Sequence, residues 1–447
     1  MEELDRIGRK ISNFAYADAI ICKSEYTGIT IKDGCAESIR EGKKESITIR
    51  ILQNGAFGFS SSNKISDLDK VILEAKKLSR IGEGKIKMEK PQVNCAKTIA
   101  KVKKNPLDAS TKEKISKMLE FEKIAQGSSI KSTTANYFDS KTNYGFSNSQ
   151  GAQIEELEIR CGAGIFVYAA KNGKIESSFE QVKEKAGMEV LDGFPKKVEK
   201  AKSESIALLD ATHGPKGRME AILDPELAGV FSHEAIGHAC EADGIMNDSS
   251  ILRGKIGERI GNEVVSIMDS PIINEGLWGA YKFDDEGTLA SGTCLVRNGI
   301  LQSYLTSLES SIELNGLLTG NARGDGHMRQ IVRMSNTYFE KGNSKTEELF
   351  DEMRNGIYLV GCKEGQVLPK TGNFTFAAKY GYIIKNGERT KLVRDCSING
   401  NILESLHGID MVAKDLEFLP GTCGKDGQSA SVTTGSPHLK IRKILVG

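Results

Sequence analysis

One helix-forming segment, Asp224 to Gly244, presents a face that changes character halfway along, and any fold of this chain has to accommodate that face. Asp224 is a natural N-cap, Pro225 suits the first helical position and Gly244 suits the residue after the end, which together predict a helix over about 225–243. Leu227, Val230 and Phe231 form an apolar stripe at i, i+3, i+4 spacing, and the same row continues as Glu234, His238 and Glu241. Ionisable side chains turned toward a core are costly unless they are paired or hold a cation, so this row needs a partner.

The histidines sharpen the requirement. A His-Glu-x-x-His pattern sets two imidazoles about 40° apart on a helix, where one metal ion can take both. Here His233 and His238 are five residues apart, about 140° on a regular helix, so shared ligation needs a wider turn. The spacing therefore predicts a π-bulge or a break at Ile236-Gly237, where glycine best tolerates the backbone distortion. Chance matches to this pattern number only ~0.01 per chain of such composition. A buried hydrogen-bond network of Glu234, His238 and Glu241 without metal is the competing reading. A catalytic zinc site takes three protein ligands and leaves one position open. The third donor here is either Glu241, three residues beyond His238, or the distant Cys423, flanked by Gly421 and Gly424.

Composition narrows the function classes. With 61 Lys+Arg against 60 Asp+Glu, the formal charge of +1 removes the electrostatic case for direct nucleic-acid binding. No apolar run is long enough for a membrane span, and the start of the chain lacks the order of a signal peptide, so a cytoplasmic protein with no membrane partner is expected. Nine cysteines, with no Cys-x-x-Cys pair, argue against a disulfide framework and against a zinc ribbon.

The 447 residues suggest two or three domains. Residues 1–205 interleave helical and strand patterns without a regular βαβ beat: helices near 3–14, 67–79, 110–127 and 195–205, strands near 18–22, 28–32, 46–51, 132–139, 153–161 and 164–170, and a lysine-rich connection over 83–108. Residues 206–447 are richer in glycine and short strands, with hairpin turns predicted at Asn298-Gly299 and Asn386-Gly387. The expected fold is α+β: an N-terminal mixed α/β domain, then a predominantly β domain carrying the candidate metal helix.

Five segments in order resemble the TldD/TldE (PmbA) metalloprotease family: His213-Gly214-Pro215-Lys216-Gly217, His233-Glu234-Ala235-Ile236-Gly237-His238, Phe283-Asp284-Asp285-Glu286-Gly287-Thr288, Met334-Ser335-Asn336-Thr337-Tyr338 and Cys423-Gly424-Lys425-Asp426-Gly427-Gln428-Ser429. The resemblance runs over nearly the whole chain and is strongest after residue 205. It implies Zn²⁺, one per catalytic subunit, on His233, His238 and Cys423, with Glu234 in the catalytic position; Cys423 is thereby favoured over Glu241. TldE subunits lack the His-Glu motif, so this chain is similar to the catalytic TldD member. The family further implies a TldE/PmbA-like partner subunit, or a homodimer, enclosing a chamber in which unfolded or extended peptides are cleaved, including leader peptides and small labile proteins. Asp284 and Asp285, within a family motif, are candidates to support a metal-bound histidine, as is Glu241. Lys425 and Asp426 flank the ligand loop and could orient it. His213 reads as a turn residue, and His327, His407 and His438 as ordinary polar side chains.

Two other readings are open. Cys423 could be a nucleophile with His233 or His238 as its base. Alternatively, the chain is a non-catalytic, partner-binding subunit whose metal is structural, with Glu241 or Cys240 closing a four-ligand site.

Overall fold

The computed structural model describes residues 2–82 and 84–447. Met1, where the chain begins, and Glu83, the first residue of the predicted connection, lie outside them. The fold is mixed α and β with a β-rich C-terminal part, as the patterning predicts.

The N-terminal part is a seven-stranded sheet with four long helices. Its strands run Ala56–Ser62, Cys35–Gln53, Tyr16–Lys32, Ile130–Asn148 and Gln153–Lys171 in spatial order, with Cys95–Ile99 and Lys174–Glu184 both paired to the last. Helices Glu2–Ile11 and Leu68–Ile81 pack over Ala17, Ala19 and Ile21, while Thr111–Ala125 and Phe194–Leu208 pack over Ile29 and its neighbours. These positions share one parity on strand Tyr16–Lys32, so both helix pairs cover the same face of the sheet. Several strands are longer than the sequence pattern suggests. The expected strands 18–22 and 28–32 are one strand, and so are 153–161 and 164–170. Residues 23–27 in the first case, and Gly162 and Ala163 in the second, keep ladder partners on both sides, which outweighs their weaker strand signal.

After helix Phe194–Leu208 the chain enters a two-stranded sheet, Ala322–Arg323 with Ile331–Val332, and two larger ones. One has eight strands, and because Gly356–Leu368 pairs both with Gly217–Leu223 and with Asn373–Lys385, five of them close into a ring through Leu439–Val446 and Ser397–Asn401. The other has six strands and ends in the hairpin Glu417–Lys425/Gln428–Ser436. The helix starting at Pro225 lies between them, its Leu227 and Phe231 fully buried in a core shared by both sheets. Phe231 stands against Phe339 on one side and Phe374 and Phe376 on the other. Both predicted hairpin turns form, with Asn298-Gly299 and Asn386-Gly387 at positive φ.

Candidate metal centre

The helix begins as the caps require. Asp224 Oδ1 accepts from Leu227 N at 2.9 Å and also from Gly361 N at 3.0 Å, pinning the helix start to the closed ring. Residues Pro225–Phe231 are α-helical and Ser232–Gly237 are a π-helix, in which His238 N donates to His233 O, five residues back. That wider turn is the predicted distortion, and it puts the two imidazoles 5.2 Å apart, centroid to centroid.

The reason for glycine at 237 differs from the one expected. Its φ of −54° is ordinary for a helix, but a Cβ there would lie 1.8 Å from Met334 Sδ. Gly237 is required by close packing rather than by backbone freedom.

The predicted helix end also needs correction. A 3₁₀ turn over His238–Cys240 leads into Glu241, which is extended, and a new short helix, Ala242–Met246, follows with Gly244 inside it. The break lets Leu305 N and Ala242 N bond across to Cys240 O and Leu305 O. It also turns the Glu241 carboxylate back beneath His238. The ionisable row is therefore not uniformly core-facing: Glu241 is buried, as is His233 beside the row, whereas Glu234 and His238 stand half-buried at the wall of a cleft of about 1050 Å³.

The predicted donors converge. The ligating atoms of His233, His238 and Cys423 all lie within 4.8 Å of one another. Cys423 Sγ is 3.3 Å from His238 Nε2, and a Glu234 carboxylate oxygen is 3.9 Å from that same nitrogen. Ligands of a tetrahedral zinc site, at roughly 2.1 Å for nitrogen and 2.3 Å for sulfur, stand ~3.6 Å apart, so the cluster is of the right size for one ion. Two imidazoles and a thiol are also a borderline-soft donor set, and the buried His233 Nδ1 has no hydrogen-bond partner among the described residues. The residues present fit a zinc ion. Burial alone would raise the Cys423 thiol, but hydrogen bonding and charge from His233 and His238 outweigh it and bring the thiol down to about 5. Burial likewise opposes a charged His238, and Glu241 and Cys423 more than offset it, holding His238 well above its ordinary range.

Around the donors, Glu241 Oε2 sits 3.0 Å from His238 Nδ1. Asp284 and Asp285 do not reach either histidine. Asp284 accepts from the backbone of Glu286, Thr288 and Ala322, and Asp285 from Gly324 N, so the acidic run organises a loop instead. Its third member, Glu286, pairs with Arg50 of the N-terminal sheet at 3.0 Å. Cys240 and Glu241 are not part of the donor cluster. His213 is exposed beside Asp395, and His438 bridges Asp415 and Tyr358 away from the cleft.

Residues the sequence reading missed hold the ligand strand. Arg333, fully buried, donates from Nη2 to Cys423 O at 2.6 Å. Ser232 Oγ donates to Thr337 O at 3.1 Å, and Asp269 gathers Ser335 and Thr337, so the 334–338 segment carries the helix. Lys425, which the sequence already sets beside the ligand loop, shares a face of strand Glu417–Lys425 with Cys423. Residues 365–368 also line the cleft, and beyond Leu359 their strand pairs on one edge only, leaving the other edge without a strand partner among the described residues.

Two histidines and an acidic residue on one distorted helix, with a distant thiol brought beside them, make a group that could hold a metal ion. The chain belongs to the PmbA/TldA metallopeptidase family: its domain 1, central domain and C-terminal domain match residues 17–79, 104–209 and 216–447. A metalloprotease of Methanocaldococcus jannaschii is 38% identical over 443 residues, 97% of this chain and 98% of its own. The zinc metalloprotease TldD homolog of Saccharolobus solfataricus is 29% identical over 420 residues, 92% of this chain and 91% of its own. A putative modulator of a DNA gyrase from Thermotoga maritima superposes with a TM-score of 0.82 at 20% identity, covering 100% of this chain and 99% of its own. TldE from Thermococcus kodakarensis gives 0.81 at 18%, with the same coverage. At those identities the last two likenesses are of fold. Among the described residues no helix is long and apolar enough to cross a membrane.

Proposed function

We propose that the chain is the catalytic subunit of a zinc-dependent peptidase, with His233, His238 and Cys423 as ligands and Glu234 as general base. The observation that carries this reading is the convergence of three donors within 4.8 Å beside the Glu234 carboxylate, at the wall of the cleft. Zinc held there would supply Lewis acidity to a peptide carbonyl and lower the pKa of water. The Glu234 carboxylate takes the proton from the attacking water and returns it to the departing amine. Glu241 accepts from His238 Nδ1–H, which fixes the ring so that Nε2 faces the donor cluster. The one-sided strand edge beside the cleft supports an extended peptide as substrate, since main-chain pairing makes little demand on sequence. A TldE-like subunit or a second copy of this chain would complete an enclosed chamber. The resemblance carried by the sequence motifs supports that arrangement, and co-purification with such a subunit tests it.

Metal analysis with peptide cleavage tests the centre. Glu234→Gln should keep stoichiometric zinc and lose about 10²–10⁴-fold in turnover, whereas Cys423→Ala should lose the metal. Unchanged turnover in the first variant, or full zinc in the second, would overturn the assignment. The lowered Cys423 thiol, 3.3 Å from His238, favours one other reading, a thiolate nucleophile. Activity that survives chelators but not thiol alkylation would select it.

A further inference from the structure

We propose that Lys425 is a positioning residue for the metal centre, joining the strand that carries Cys423 to the chain segment that carries His238 through the Glu241 carboxylate. The proposal rests on the metal reading above. Lys425 follows Cys423 by two residues on strand Glu417–Lys425, so both side chains leave the same face. Its ammonium lies 3.0 Å from Glu241 Oε2, the oxygen that also sits 3.0 Å from His238 Nδ1. One carboxylate oxygen thus links a ligand's ring to the neighbour of another ligand. The remaining contacts of Lys425 Nζ are with both Asp243 oxygens at 2.7 Å and Val332 O at 3.0 Å.

An ammonium has three protons. Here they are drawn to acceptors on the helix break, on the short helix after it and on a strand of a different sheet, so the lysine acts as a cross-link between separate elements. Glu241 and Asp243 flank it at close quarters. Without the cation between them, two carboxylates in a largely buried space would repel. Glu241 would then be free to swing from beneath His238, and the Nε2-to-Sγ spacing of 3.3 Å would no longer be enforced. Partners of this kind typically change metal affinity by about 10–100-fold. Lys425 also lines the cleft, so peptide turnover alone would not separate positioning from substrate contact.

The test is zinc binding by the full-length protein, without peptide, measured by competition with a chromophoric chelator. Lys425→Met should weaken zinc binding about 10–100-fold, and Glu241→Gln should do the same. The double variant should be little worse than the poorer single one, because both act through one link. If wild type holds zinc and Lys425→Met holds it equally tightly, or if the two losses simply add, the inference is overturned while the metal reading stands. If wild type itself fails to bind zinc, the metal reading falls and this inference with it. Should Lys425→Met not be recovered folded, Lys425→Gln is measured against the same criteria.

Discussion

Cys423 shows how little a residue's neighbours in sequence say about its chemistry. Its immediate surroundings suit a turn near a strand end, and 185 residues separate it from His238, so nothing local identifies it as a donor. Only the pairing of Gln428–Ser436 with Asn336–Phe339, and of the hairpin with itself, carries it to the helix. Once there, it is an altered thiol. An ordinary cysteine ionises near ~8.5; this one is brought down to about 5 by the two histidines despite its burial. The sign is that of a depressed acid: the thiolate persists above that pH and is lost as pH falls through it. In metal-free protein, alkylation of the Cys423 peptide, followed by mass spectrometry, should therefore stay near its plateau at pH 7 and halve near pH 5. A midpoint at pH 8 or above would show that the histidines do not act on the thiol. Arg333 is the converse case. A buried arginine that serves a backbone carbonyl has no signature in a sequence, because its role depends on which strand lies opposite.

At the scale of the element, the helix with its widened turn was largely legible and its ending was not. The start followed from side-chain caps, which are local, and the five-residue histidine spacing required a π turn for reasons of geometry alone. The end followed from Leu305, sixty-odd residues away, whose backbone replaces helical bonds at Cys240 and Ala242. Gly244 offered a plausible stop, but a tertiary partner supplied an earlier one. The same distinction governs Gly237, where the contact that excludes a side chain comes from Met334. Gly237→Ala would drive a methyl into a fully buried thioether, an overpacking that costs about 1–3 kcal/mol. Denaturant melts should show that loss, together with weaker zinc retention as the π turn shifts. The penalty should largely vanish in a Met334→Ala background, where the space is open. A penalty equal in both backgrounds would return the explanation to backbone conformation.

The two parts of the molecule are joined by contacts that neither contains alone, among them a buried ion pair. Arg50, on the second strand of the N-terminal sheet, pairs with Asp18 on the adjacent strand and with Glu286 from the acidic loop of the C-terminal part, all three side chains being at most 4% exposed. The second Glu286 oxygen accepts from Leu308 N at 2.7 Å, which extends the link to a helix N-terminus. The α+β class and the order of its parts could be read from periodicity, because each strand and helix advertises its own buried face. The closed ring and this joint could not, because they depend on which distant segments meet. An acidic run in sequence reads equally well as a solvated turn or as support for a metal; as folded, it is one of the places where the two parts meet. Removing the cation leaves two carboxylates buried and unmatched, a change that typically costs about 3–5 kcal/mol. Arg50→Met should therefore lower the unfolding midpoint sharply while the donor cluster, built wholly from the C-terminal part, still binds zinc in whatever protein remains folded. Adding Asp18→Asn and Glu286→Gln to Arg50→Met removes the unmatched charges and should recover a large share of the loss. Calorimetry of the single and triple variants decides the matter: a triple variant no more stable than the single would mean that the joint works through the shape of the arginine rather than its charge.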